Sequence, residues 1–335
     1  MISKFIEFSI KDKTGIVKLK RPNALNALDY DMACSFLNIL LEWKENIKID
    51  RVLLHGEGKS LCAGGDIKSL FLSSGKNNLK EVFFQKEYLL NQTINEFPKN
   101  YLSIWDGIVM GGGVGLSIYG NYRLVSEKAK FAMPETAIGF FPDVGGSYFL
   151  SKLSKGVGLY LGLTGKNCNA RDMMDLGLAT HYLPSELMPI AIKKYIESGN
   201  INNSSYYPEM SSDIIENECF IEDVFQGSIK KIMERLKISE SGFGKKIYSH
   251  LLTRCPMSLA VTVKLLNMTK SKTLRESLDI EYQLSQHMVY RKDFNNGVDS
   301  LLVSKNYNPQ WNPSTINEIN SDELNKMFEP HIKRL

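Results

Sequence analysis

Three times in its first half the chain runs from a short apolar segment through a glycine-bearing turn towards a helical stretch. No other feature limits the fold as much. The strand-like segments are Arg51–His55, Tyr101–Trp105, and Tyr122–Val125 with Lys130–Ala132. They lead into Cys62-Ala63-Gly64-Gly65-Asp66, Gly107–Gly115 and the Gly- and Pro-rich run Pro134–Gly146. The intervals differ, so the pattern predicts an α/β protein of stacked βα turns rather than a strict tandem repeat.

The flanking sequence fits that plan. Phe5–Ile10 and Gly15–Leu19 read as paired strands around the turn Lys11–Thr14. Asp29 is placed to cap a helix whose apolar face is Ala33, Phe36, Leu37, Leu40 and Leu41. Helices are expected over Ile67–Leu72, Leu79–Glu96, Met257–Met268 and Leu274–Tyr290, with a mobile polar loop at Ser73–Asn78. Asn200–Ser205 is polar, and Ser211–Gly227 is acidic and reads as irregular linker. The expected division is a core over 1–190 and a C-terminal helical region over 191–335, with a soft boundary between 185 and 215.

Composition removes several function classes. The 335 residues, 43% hydrophobic and 23% charged, describe a globular chain. Lys+Arg 41 against Asp+Glu 37 is too balanced for a dedicated nucleic-acid binder. The five cysteines are scattered and without a CxxC pair, which argues against a zinc site or disulfide framework and for a reducing compartment. No segment approaches the ~18 apolar residues of a membrane span, and Met1–Ile10 lacks the apolar core of a signal peptide.

Glycine-rich turns invite a nucleotide reading, which fails on inspection. Met110–Gly120 (MGGGVGLSIYG) does not fit GxGxxG in any frame. Leu163–Asn167 has Asn where a P-loop needs Ser or Thr, and Tyr160 occupies the place of its first Gly. There is no GxSxG elbow. Two readings of Ala63-Gly64-Gly65 and Gly111-Gly112-Gly113 then stand. One is tight helix–strand packing. In the other, amides left unpaired at helix starts converge on one substrate oxygen as an oxyanion hole.

The order LKRPNALNAL (19–28), LCAGGDIKSL (61–70), MGGGVGLSIYG (110–120), FAMPETAIGFFPDVGGSYFL (131–150) and LTG…ARDMMDLGLA (163–179) resembles the crotonase superfamily, the enoyl-CoA hydratase/isomerase fold. PETAIGFFPDVGG, IEYQLSQHM (280–288) and DFNNGVDSLLVSKNYNPQWNP (293–313) are similar to its 3-hydroxyisobutyryl-CoA hydrolase branch. The resemblance implies a spiral of stacked ββα turns with a C-terminal helical region. It also implies that the amides of Gly65 and Gly112 grip a thioester carbonyl.

Hydratases of this superfamily commonly use two glutamates, one of them two residues beyond the GGG run. That position is Gly115 here, while the other matches Glu135. The resemblance instead assigns Asp143 as second carboxylate. Glu135 then activates water or attacks the thioester, and Asp143 holds the substrate hydroxyl or assists proton transfer. Taken alone, Glu135 reads as a capping carboxylate and Asp143 as an Asx-turn after proline. Glu87 matches a substrate-contacting position of the family; its other reading is a solvated helix residue. Asp66 reads as a helix cap, and Lys18, Lys20 and Arg21 as a solvated basic edge or contacts for CoA phosphates. The five histidines do not cluster in sequence and receive no chemistry. Lys99-Asn100-Tyr101 and Asp106 depart from the family pattern and are expected to reshape the pocket wall.

The expected activity is hydrolysis of a short branched 3-hydroxyacyl-CoA in valine breakdown. The rivals are an enoyl-CoA hydratase or isomerase and a non-catalytic structural subunit. No metal or redox cofactor is implied, since CoA enters with the substrate. The expected partner is the acyl-CoA alone, without nucleic acid or membrane, and self-association fits the family. The expected location is the cytoplasm for a bacterial protein and the mitochondrial matrix for a processed eukaryotic one.

Overall fold

The computed structural model describes residues 3–73, 78–201, 206–333 and 335. The loop expected at Ser73–Asn78 and the polar stretch Asn200–Ser205 fall largely outside them. Two compact units emerge, each assembled from three separated segments: 1–66, 86–132 and 167–212 form the first, and 67–85, 133–166 and 213–335 the second. The division at 190 remains a proposal about order along the chain, whereas the units interleave.

The first unit holds nine strands: β1 (Ile6–Lys11), β2 (Thr14–Leu19), β3 (Arg51–Gly56), β4 (Ser60–Cys62), β5 (Asn100–Trp105), β6 (Ile108–Met110), β7 (Tyr122–Val125), β8 (Lys130–Ala132) and β9 (His181–Tyr182). They form a six-stranded sheet in the order β1-β2-β3-β5-β7-β9 and a three-stranded sheet β4-β6-β8. Apart from the β1–β2 hairpin all pairings are parallel. Successive pairs (β3 and β4, β5 and β6, β7 and β8) therefore place one strand in each sheet before the chain moves on. That is the stacked ββα plan anticipated from the sequence, and it stacks the turns that follow β4 and β6.

Burial explains the register. Leu53, Leu102, Ile104 and Leu124 pack with Leu183, Met188, Ala191 and Tyr195 into one cluster, while Val52, Leu54, Tyr101 and Trp105 are buried on the opposite face, so a one-residue slip would mispack both sides of the sheet. Arg51, buried on β3, donates to Thr14 Oγ1 and to the carbonyls of Asp12, Tyr195 and Ile196, which satisfies its guanidinium within the unit. The Asp29 carboxylate accepts from the Met32 amide at 2.8 Å and caps helix Tyr30–Glu45 as expected. The buried stripe of that helix is rotated, however. Leu41 is 48% exposed, while Met32 and Trp43 are buried. Gly15 makes the room: a Cβ there would stand 2.5 Å from the Trp43 ring.

The second unit is helical. Helix Pro256–Thr269 is buried around most of its circumference, and Thr273 and Glu276 form a capping box at the start of helix Leu274–Met288. The stretch expected to be irregular is instead helical over Asp213–Glu216 and Glu218–Val224. Ile214, Ile221, Val224 and Phe225 face inward and the acidic residues face out, so dense charge hid a short amphipathic pattern. Glu222 is used outright: its carboxylate accepts from the Gly156 and Val157 amides at the start of helix Lys155–Thr164. No helix among the described residues is long and apolar enough to cross a membrane.

Candidate active site

In the first unit the turns after β4 and β6 lie against each other. Leu28 bridges the first: its amide donates to Gly64 O and its carbonyl accepts from the Asp66 amide, both at 2.8 Å. Neither bond uses the Gly65 N–H. Gly112 opens helix Gly112–Gly115, so its N–H precedes the first intrahelical bond. A Cβ on Gly112 would stand 3.1 Å from the Gly65 nitrogen and would collide with Glu87 Oε1. Two amides with no backbone acceptor among the described residues are thus neighbours, at a spot where a side chain would intrude. Packing claims the next residue: a Cβ on Gly113 would meet the backbone carbonyl of Cys62. Both sequence readings therefore hold, at adjacent glycines.

Glu87 is only 2% exposed, so its reading as a solvated helix residue is overturned. Its charge, together with burial as the larger cause, pushes the Cys62 thiol up to about 12, which makes that cysteine inert. Asn91, one helical turn beyond Glu87, is fully buried, and neither its carboxamide oxygen nor its nitrogen has a partner among the described residues. The sequence flagged Glu87 through its motif but gave no sign of Asn91.

The basic edge is largely neutralised. Lys18 pairs with Glu57 at 3.1 Å, Lys20 with Glu7 at 2.7 Å and Arg21 with Asp66 at 2.7 Å. The two departures from the family pattern are bonded within the first unit: Lys99 Nζ donates to Trp43 O and Asn46 O at the C-terminal end of helix Tyr30–Glu45, and Asp106 accepts from Ser126 Oγ.

In the second unit Glu135 begins a 3-10 turn, Glu135–Ile138, and is 7% exposed. The turn is pinned on both sides, by Thr136 Oγ1 donating to Leu163 O at 3.0 Å and by the Cys255 amide donating to Thr136 O at 3.1 Å. Asp143 is 5% exposed, too enclosed for an ordinary surface Asx-turn. The backbone after it is strained: Val144 sits at φ 53° and Gly145 at φ 78°, and the left-handed region is unfavourable for a β-branched residue.

Glu281 holds this loop. It is fully buried in helix Leu274–Met288, where Oε2 accepts from the Gly145 amide at 2.6 Å. Its Oε1 accepts from the Ser147 amide at 3.0 Å and from Ser147 Oγ at 2.5 Å. Burial pushes its carboxyl up to about 8; the three donors oppose the shift and the Asp143 charge adds to it. Glu281 lies within IEYQLSQHM, yet a contact spanning 136 residues left no local signal for its role. The same holds for His287 and His331, whose rings lie 4.0 Å apart between centroids. The C-terminal signature is structural here. Asp293 accepts from Arg291 and from the Asn312 amide, and Trp311 Nε1 donates to Thr253 O at 3.3 Å.

The predicted residues thus fall into two groups, Gly65, Gly112 and Glu87 in the first unit and Glu135 and Asp143 in the second. A cradle of backbone donors beside a buried glutamate suits an oxygen that gains negative charge. A buried glutamate and aspartate on one turn-rich segment suit proton transfer.

Comparison with known proteins identifies the family. The profile of the enoyl-CoA hydratase/isomerase family matches residues 14–328. The chain is 38% identical over 333 residues to the mitochondrial 3-hydroxyisobutyryl-CoA hydrolase of Danio rerio, covering 94% of this chain and 87% of that protein. The human enzyme of the same name is 36% identical, with 95% and 87% covered. Among solved structures, a carnitinyl-CoA dehydratase from Mycobacterium thermoresistibile superposes with a TM-score of 0.94 at 31% identity, covering 99% of this chain and 98% of that one. An enoyl-CoA hydratase from Rhodobacter sphaeroides gives 0.92 at 29% identity, with 98% of each chain covered. With the family profile spanning nearly its whole length, the chain belongs to the enoyl-CoA hydratase/isomerase family, the crotonase superfamily.

Proposed function

We propose that this protein hydrolyses the thioester of 3-hydroxyisobutyryl-CoA, releasing CoA and 3-hydroxyisobutyrate, a step of valine breakdown. The observation that carries the reading is full-length identity of 34–39% to relatives that all bear that hydrolase name. Gly115, which stands where hydratases of the superfamily commonly have their second glutamate, supports it from the opposite side.

In this reading the Gly65 and Gly112 amides donate to the thioester oxygen as carbonyl carbon becomes tetrahedral, and Glu87 lines that cradle. Glu135 acts by one of two balanced routes. As general base it takes a proton from water while the hydroxyl adds to the carbonyl carbon; the C–S bond then breaks and the thiolate takes up the proton. As nucleophile it displaces the thiolate to form a mixed anhydride, which water cleaves to regenerate the carboxylate. Asp143 holds the 3-hydroxyl or relays the proton. In a single turnover in 18O-water, label on Glu135 establishes the anhydride route, because general-base hydrolysis leaves none there. The substrate brings CoA, and the chemistry calls for no further cofactor. The matrix is the expected setting in a processed eukaryotic protein and the cytoplasm in a bacterium, and self-association follows the family's habit.

A second reading, hydration of an enoyl-CoA, draws on the names of the two solved structures. A panel of branched and straight 3-hydroxyacyl-CoAs assayed for free thiol, beside crotonyl-CoA followed by absorbance, decides between them. The proposal expects thiol release that is fastest with the branched 3-hydroxyacyl group. Loss of the enoyl absorbance without thiol would replace it with the hydratase reading.

A further inference from the structure

A cavity of about 450 Å3 opens among the elements of the second unit, and neither Glu135 nor Asp143 lines it. That volume falls in the range of small-molecule sites. Its lining carries three cations, Lys230, Lys237 and Arg254, against one carboxylate, Glu234. Met233, Leu251 and Leu259 supply apolar wall.

Arg254 is the informative residue, because the rest of the chain provides its control. Every other described arginine shielded from solvent has at least one partner for its guanidinium. Arg21, Arg171 and Arg291 pair with carboxylates. Arg51, Arg123 and Arg235 donate to carbonyls. Arg254 alone among them is half-buried with no hydrogen bond or ion pair to its side chain among the described residues, and its Nε is wholly shut off from solvent. A guanidinium carries five fixed donors, and leaving the buried one on Nε unanswered is costly. Burial also works against its charge. Lys230 and Lys237 likewise have no acidic partner among the described residues.

We propose that this cavity binds a small organic anion, its carboxylate or phosphate head on Arg254 with the two lysines near, and its apolar body against Leu251, Leu259 and Met233. The planar fork of arginine favours such a two-oxygen head over a spherical anion. The site lies apart from Glu135 and Asp143 in sequence and shares no lining residue with them.

Calorimetric titration of the full chain tests it with three probes: 4-phenylbutyrate, phenyl phosphate and the neutral 4-phenylbutanol. At least one anion is expected to bind saturably, at least tenfold tighter than the alcohol, and the stronger of the two identifies the head group. Arg254→Gln is expected to weaken that binding at least tenfold, and the exposed Lys237→Glu several-fold. Lys237→Glu carries the test should Arg254→Gln fold poorly. Binding of neither anion, equal binding of the alcohol, or unchanged affinity in the folded variants would overturn the proposal.

Discussion

The two groups of candidate residues are built by opposite means. In the first unit the proposed chemistry belongs to the main chain: Gly65 and Gly112 would contribute amides, and the absence of side chains is what lets their turns approach. In the second unit it belongs to side chains on a strained loop, where Asp143 precedes a left-handed Val144 and Glu281 grips the loop from a distant helix. A backbone site is made by local turns and tolerates no added atoms. A side-chain site tolerates local change but depends on long-range anchors.

The sharpest blow to the first part is Gly112→Ala. The new methyl would crowd Glu87 and stand 3.1 Å from the Gly65 nitrogen, where the proposal puts the thioester oxygen. Thiol release should fall by roughly 10²–10³, the usual loss for one oxyanion donor, and the melting temperature should drop modestly because the buried Glu87 must shift. A variant of undiminished activity would take the Gly turns out of the reaction.

For the second part the anchor is the target. Glu281→Ala leaves two buried amides and a hydroxyl without acceptors and should cost about 3 kcal/mol in denaturant unfolding. Glu281→Gln keeps an acceptor and should cost less. The pH dependence distinguishes the two further. With its carboxyl raised from 4.5 to about 8, Glu281 keeps its proton in the folded protein at pH values where the unfolded chain has released it. Stability from this group is therefore full below about 4.5 and is lost as pH rises towards about 8. Wild type should lose stability across that window relative to Glu281→Gln, and parallel profiles would contradict the assignment.

Smaller effects refine the contrast. Val144→Gly should relieve left-handed strain worth about 1 kcal/mol but deletes a fully buried side chain at a cost of about 2 kcal/mol or more, so a lower denaturant midpoint is expected, with activity lowered modestly as the Asp143 loop loosens. Cys62, though it adjoins the first turn, should resist alkylation by iodoacetamide at pH 8 in the folded protein, because its thiol is held near 12. Rapid modification with loss of activity would give it a role that its environment argues against.

What the sequence revealed follows the same divide. Strand, turn and helix are local, so β3, β5, β7, β8 and helix Ile67–Leu72 could be read within a residue or so of their ends. The family motifs carried Gly65, Gly112, Glu135 and Asp143. Where meaning depends on residues far apart, the sequence was silent. Nothing local shows that Glu281 reaches Gly145, that Trp43 replaces Leu41 in the buried stripe, or that Glu222 caps a helix 66 positions upstream. The interleaving of the two units is hidden for the same reason, since composition changes slowly along a chain that crosses between them several times.

The central claim is that Glu135 drives thioester cleavage. Its most direct test is the rate of thiol release from 3-hydroxyisobutyryl-CoA by wild type and by Glu135→Gln of matched circular dichroism and melting temperature. The account predicts a loss of at least about 10²-fold in kcat, in the range of a removed general base. An unchanged rate in the folded variant would contradict it.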